Sequence, residues 1–108
     1  MEDIKGKVLK TADLIEYQGG SVVSREIIKK DTGTVTIFAF DKGEEIGSHD
    51  SSGDAMVTVL EGTGQFTVDG KEYILNQGET LIMPAKKPHA VYAKEAFKML
   101  LVVVFPSE

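Results

Sequence analysis

Gln65-Phe66-Thr67-Val68-Asp69-Gly70-Lys71-Glu72-Tyr73-Ile74-Leu75 reads as two short strands joined by a two-residue turn. Asp-Gly is a strong hairpin signal, because a type I′ turn needs positive φ at both central residues. Working outward, more turn clusters fall at Asp41-Lys42-Gly43, Glu61-Gly62-Thr63-Gly64 and Asn76-Gln77-Gly78. Thr34-Val35-Thr36-Ile37-Phe38-Ala39-Phe40 is rich in β-branched residues and predicts a strand. Residues 21–30 predict another, with Asp31-Thr32-Gly33 as the turn between them. Residues 97–105 form an apolar run of strand length that Pro106 ends. Turn signals thus recur about every 8–12 residues, which predicts an all-β sandwich or barrel. The one helical candidate is residues 11–16, with Thr11 as its N-cap.

The bulk numbers narrow the function classes. At 108 residues, 1–108 reads as a single domain. A composition of 42% hydrophobic and 27% charged residues suits a globular fold with its own core. There is no cysteine, so neither a disulfide framework nor a thiolate metal site is expected, and a reducing cytoplasm is the expected location. No apolar run follows a basic N-terminal start, so a secretory leader is not expected. The apolar stretch from 99 to 105 is too short for a bilayer, so no membrane partner is expected. A net charge of −5 with a single arginine, Arg25, argues against nucleic acid, whose phosphates demand a basic surface.

The chemistry-bearing residues are two histidines, His49 and His89. Neutral imidazole is the commonest metal ligand and titrates near neutral pH. Each follows a Gly-Glu turn, at Gly43-Glu44 and Gly78-Glu79. Asp54 follows Gly53 and reads first as a loop acid that satisfies turn amides. Met56, Met83 and Met99 read as core filler. Glu44-Glu45 and Lys86-Lys87 read as solvated.

Between residues 34 and 104 the spacing resembles the two motifs of the cupin family. Five residues separate Gly43 from His49, and Gly62 falls where the first motif closes. Gly78, Pro84 and His89 match the second motif, with Lys86 in place of its glycine and Ala93 in place of its asparagine. The resemblance implies a small double-stranded β-helix, a jelly-roll barrel, with a short N-terminal helical turn and a pocket at its mouth. Metal-binding cupins use three histidines and a glutamate. Here Ser51 stands at the second histidine position and Ala55 at the glutamate position. Hydroxyl and methyl groups do not replace those ligands.

The expected function is therefore small-molecule binding by His49, Ser51 and His89, with no cofactor or a weakly held divalent transition metal (Fe, Zn, Ni or Mn). The alternative is a metal-dependent enzyme of dioxygenase or isomerase type. It would use His49 and His89 with a non-standard third ligand, Asp54 re-aimed by a bulge at Gly53. In a regular strand, Asp54 faces away from position 55. A homodimer is also implied by the resemblance. Residues 97–105 support it independently: Met99, Leu101 and Val103 occupy one face and Leu100, Val102 and Val104 the other, so both faces need cover. Residues 8–17 are the competing source of that cover.

Overall fold

The computed structural model describes residues 4–107. Among them run nine strands: β1 (Val22–Lys30), β2 (Gly33–Phe40), β3 (Glu45–His49), β4 (Asp54–Glu61), β5 (Thr63–Val68), β6 (Lys71–Asn76), β7 (Thr80–Met83), β8 (His89–Tyr92) and β9 (Phe97–Val104). They pair antiparallel in two sheets, ordered β1-β2-β9-β4-β7 and β3-β8-β5-β6. The result is the all-β barrel that the recurring turns predict, in the jelly-roll form that the resemblance implies. Asp69 and Gly70 have φ of 49° and 81°, and Val68 pairs with Lys71 across them, as a type I′ hairpin requires.

Strand alternation sends one set of side chains inward from each sheet. Along β4, Ala55, Val57 and Val59 are buried. Along β5, Phe66 and Val68 are buried and face them. The end of the barrel near residues 40, 64 and 97 is closed by aromatic rings. Phe40 and Phe97 stack with centroids 4.8 Å apart, and Phe66 meets Phe97 edge-on at 6.1 Å. A Cβ at Gly64 would lie 2.6 Å from a Phe97 ring carbon, so these rings rest on bare backbone.

The helical candidate is shorter than expected. Residues Thr11–Leu14 make one 3-10 turn, and Ile15 already has extended backbone. Thr11 is not the N-cap: Lys10 holds that position, and no side chain caps the turn. Tertiary packing holds the segment instead. Leu14 and Ile15 pack with Ile37, Ala39 and Leu100 on the outer face of the five-stranded sheet. Lys98, itself buried, donates from Nζ to the Ala12 carbonyl at 2.7 Å and lies 3.9 Å from the Glu61 carboxylate. The Tyr17 hydroxyl donates to the same Glu61 at 2.6 Å. Burial, with the Glu61 carboxylate beside it, pushes the Tyr17 phenol well above its ordinary range. The N-terminal segment therefore covers one end of β9's outer face and leaves Val104 exposed at the other.

Met56 also departs from expectation. It is 40% exposed, because β4 runs in regular alternation there and its neighbours Ala55 and Val57 take the inward positions. Met83 and Met99 are buried in the core.

Candidate functional site at the barrel mouth

One lateral row crosses all four strands of the four-stranded sheet at the level of the two histidines. In register, His49 of β3 faces His89 of β8, His89 faces Val68 of β5, and Val68 faces Lys71 of β6. Register decides this meeting. β3 pairs regularly with β8 through Ile46 and Val91, then shifts before His49, so a bulge sets His49 directly opposite His89. The two rings lie with centroids 4.3 Å apart, at 65° to each other. His49 is exposed and His89 is buried.

Both rings are anchored in the same way. The His49 Nδ1–H donates to the Gly47 carbonyl at 3.0 Å, and the His89 Nδ1–H donates to the Lys87 carbonyl at 3.4 Å. A carbonyl only accepts, so Nδ1 carries the proton in each neutral ring and Nε2 carries the lone pair. Neither Nε2 has a hydrogen-bond partner among the described residues. The mouth thus presents two adjacent acceptor nitrogens in fixed orientations. Carbonyl anchors two residues before each histidine are invisible to motif spacing, since they depend on backbone conformation rather than residue type.

Burial pushes the His89 imidazole below its ordinary range, and the charge of a protonated His49 would push the same way. The hydrogen bond to the Lys87 carbonyl and the Asp50 carboxylate draw it partly back. Because the lowered pKa belongs to the folded state, the unfolded chain binds the proton more readily. Folding stability is therefore unaffected by His89 above the ordinary value of 6.5 and is lost as pH falls below it, until the folded-state pKa is passed. Urea unfolding between about pH 5 and pH 8 should show this slope. His89→Asn should flatten it, relative to a wild type that keeps all its carboxylates.

The other candidate residues sit differently. The Ser51 hydroxyl accepts from the Gly53 N–H at 3.1 Å, and the Ser51 carbonyl accepts from the Lys86 N–H at 2.7 Å. This leaves the Ser51 O–H free to donate. Asp54 does not join the histidines. No bulge re-aims it: Asp54 pairs in regular register with Val104, is exposed, and accepts from the Ala85 N–H at 2.8 Å. The reason lies at Gly53, which is buried against β9. A Cβ there would come within 2.3 Å of the Val104 carbonyl oxygen. Gly53 serves close backbone approach, not a bulge. Among the described residues no group of three His, Cys, Asp or Glu side chains is placed to hold a metal ion. The donors present are two imidazoles, which do not amount to the four-ligand centre of metal-binding cupins.

The cupin-domain family model matches residues 36–105. The chain belongs to the cupin family. This cupin is similar over 99% of its length to a conserved protein of unknown function from Streptococcus pyogenes, with 44% identity, 95% of that chain covered and a TM-score of 0.93. It is also similar to a cupin 2 conserved barrel domain protein from Leptotrichia buccalis, at 47% identity and a TM-score of 0.84. That match covers 86% of this chain and 45% of the other, so this cupin spans less than half of the Leptotrichia chain. A cupin superfamily protein from Desulfitobacterium hafniense shares 29% identity over 94% of both chains, with a TM-score of 0.89. Among the described residues no helix is long and apolar enough to cross a membrane.

Proposed function

We propose that this cupin binds a small molecule at the barrel mouth, held by His49 and His89. The observation that supports the reading is the pair of rings 4.3 Å apart, each with Nδ1 tied to a backbone carbonyl and Nε2 open. Two fixed neutral acceptors side by side favour a ligand with two neighbouring hydrogen-bond donors, such as a vicinal diol. Ser51, two residues after His49, is the third residue of this reading, with its O–H free to donate. Val68, which pairs with His89, belongs to the apolar core that also holds Ala55 and Val103. A few oriented polar groups on an apolar wall are the usual make-up of a small-molecule site.

Imidazole resonances provide the test. Titration with a panel of small diols, polyols and sugars is expected to shift the ring signals of both histidines together. His49→Ala and His89→Ala should each weaken a binding panel member about tenfold or more, in keeping with about 1–2 kcal/mol per lost hydrogen bond in a buried site. Panel members that bind without moving either ring would remove the basis of the reading. Carbonyl-anchored imidazoles are also how metal-ligating histidines are oriented. Stoichiometric Fe, Zn, Ni or Mn in tag-free protein would therefore favour the metal-dependent enzyme reading, with His49 and His89 as ligands. Two imidazoles leave most of the coordination shell to water, so the expected occupancy is low and varies with preparation.

A further inference from the structure

Lys71 ends the row that the two histidines begin. In register it faces Val68, and Val68 faces His89. Directly opposed residues of an antiparallel pair share one face of the sheet. Val68 is buried in the core, so Lys71 leaves β6 on that same face. Tyr73, two residues along β6, shares the face and packs half-buried against the core. The Lys71 Nζ lies over the Tyr73 ring, 5.2 Å from its centroid. The negative π face of the ring steadies the ammonium there without neutralising it. Among the described residues Lys71 has no carboxylate partner.

The distance from Lys71 to the histidines is fixed by backbone. Asp69-Gly70 turns β5 into β6, and the Asp69 N–H donates to the Pro88 carbonyl at 2.8 Å. Pro88 immediately precedes His89, so the turn beside Lys71 is tied to the strand that carries His89. At about 4.8 Å per strand, two strand steps put Lys71 roughly 10 Å from His89 at the backbone. Charge differs between the two ends of the row. Asp50 follows His49, and its carboxylate acts on His89. An anion at the histidine end meets that carboxylate and two Nε2 lone pairs, which accept but do not donate. At the Lys71 end it meets an unpaired ammonium, with three donors and no acceptor.

We infer that Lys71 receives an anionic group of the ligand, a carboxylate or a phosphate, while His49 and His89 accept from hydroxyls further along the same molecule. The inference rests on the histidine reading above and sharpens the ligand's class from a diol to a hydroxylated acid. A six-carbon hydroxylated chain spans most of the gap, and the flexible four-carbon stem of the lysine covers the remainder. Lys71 is exposed, so the pair selects among ligands more than it tightens them.

Sorbitol, gluconate and the terminal phosphate ester of sorbitol share one hydroxylated chain and differ in one end group. Imidazole resonances of His49 and His89 read the binding of each. Both acids are expected to bind about fivefold more tightly than sorbitol at low salt, the size of one exposed ion pair, and the preference should fade as salt is raised. A larger preference for one acid tells which anion the lysine seats. Lys71→Met is expected to bring all three probes to the same affinity, and Lys71→Arg to keep the preference. Should Lys71→Met lose its β circular dichroism, Lys71→Gln makes the same comparison. Lys86→Met, in the exposed loop before β8, is expected to keep the preference as well. Equal affinity for the three probes in wild type overturns the inference. So does a preference that survives Lys71→Met, or one that Lys86→Met abolishes, which would mark a diffuse positive field. In each of those cases a joint shift of the two imidazole signals leaves the histidine reading standing. Binding of the probes with no shift of either ring overturns both.

Discussion

Phe97→Ala is expected to remove about 3–5 kcal/mol of folding stability, as loss of a fully buried aromatic side chain does. Phe97 has no solvent exposure and joins the two sheets at the closed end of the barrel. Its ring stacks on Phe40 from the same sheet and meets Phe66 from the other. It also rests on the backbone of Gly64, where no other residue would leave room. Truncation therefore opens a cavity whose walls, two rings and a strand backbone, are poorly able to collapse. A domain of this size has only about 5–15 kcal/mol in total, so a large part of its margin goes. Denaturant unfolding measures the loss, and a value under about 1 kcal/mol would contradict this account of the closed end. The same variant separates stability from function. The ring partners of Phe97 are Phe40 and Phe66, and the histidine row crosses β5 at Val68, two residues beyond Phe66, so Phe97 touches neither histidine ring. Folded Phe97→Ala protein should keep its imidazole chemistry.

Different parts of the molecule were legible in the sequence to different degrees, and the reasons are physical. The β5–β6 hairpin was legible because Asp69-Gly70 is a local solution to a local problem, positive φ at two consecutive residues. Strands β1, β2 and β9 were legible because each is eight or nine residues of mostly β-favouring sequence. β7 and β8 hold only four residues each, too few to show a period. The meeting of His49 and His89 was legible only through motif spacing. No local rule announces that a bulge in β3 will set them opposite each other. Asp54 depended on a contact far away in sequence. Whether Gly53 bulges or presses flat is decided by Val104, about fifty residues on. The two apolar faces of β9 were legible as alternating residues in the run from 97 to 105. Only the fold showed how the outer one is divided, with Leu100 under the N-terminal segment and Val104 in the open.

Ser51→His combined with Ala55→Glu is expected to give tight, stoichiometric metal binding. Ala55 is 2% exposed and points inward from β4, in register with Met83 and Val103. It shares the core with Val68, the residue that pairs with His89. A carboxylate placed there is buried at the edge of the histidine row. Without a metal it is an unpaired buried charge and should lower stability by several kcal/mol. With Zn²⁺ or Mn²⁺ it becomes a ligand beside three imidazoles, and binding free energy becomes folding free energy. A metal at ~1,000 times its dissociation constant would add about 4 kcal/mol, enough to reverse the loss. Thermal melts with metal and with chelator should therefore diverge widely for the double variant and little for wild type. Ala55→Glu alone supplies only a two-imidazole, one-carboxylate set, so its metal-dependent rise in melting temperature should be smaller than that of the double variant. The loop supplies the harder requirement. Ser51 now caps the Gly53 N–H, and Gly53 is pressed against the Val104 carbonyl, so position 51 has little freedom to swing. If the double variant folds but melts identically with and without metal, the pinned loop prevents the donor at position 51 from reaching the histidine row.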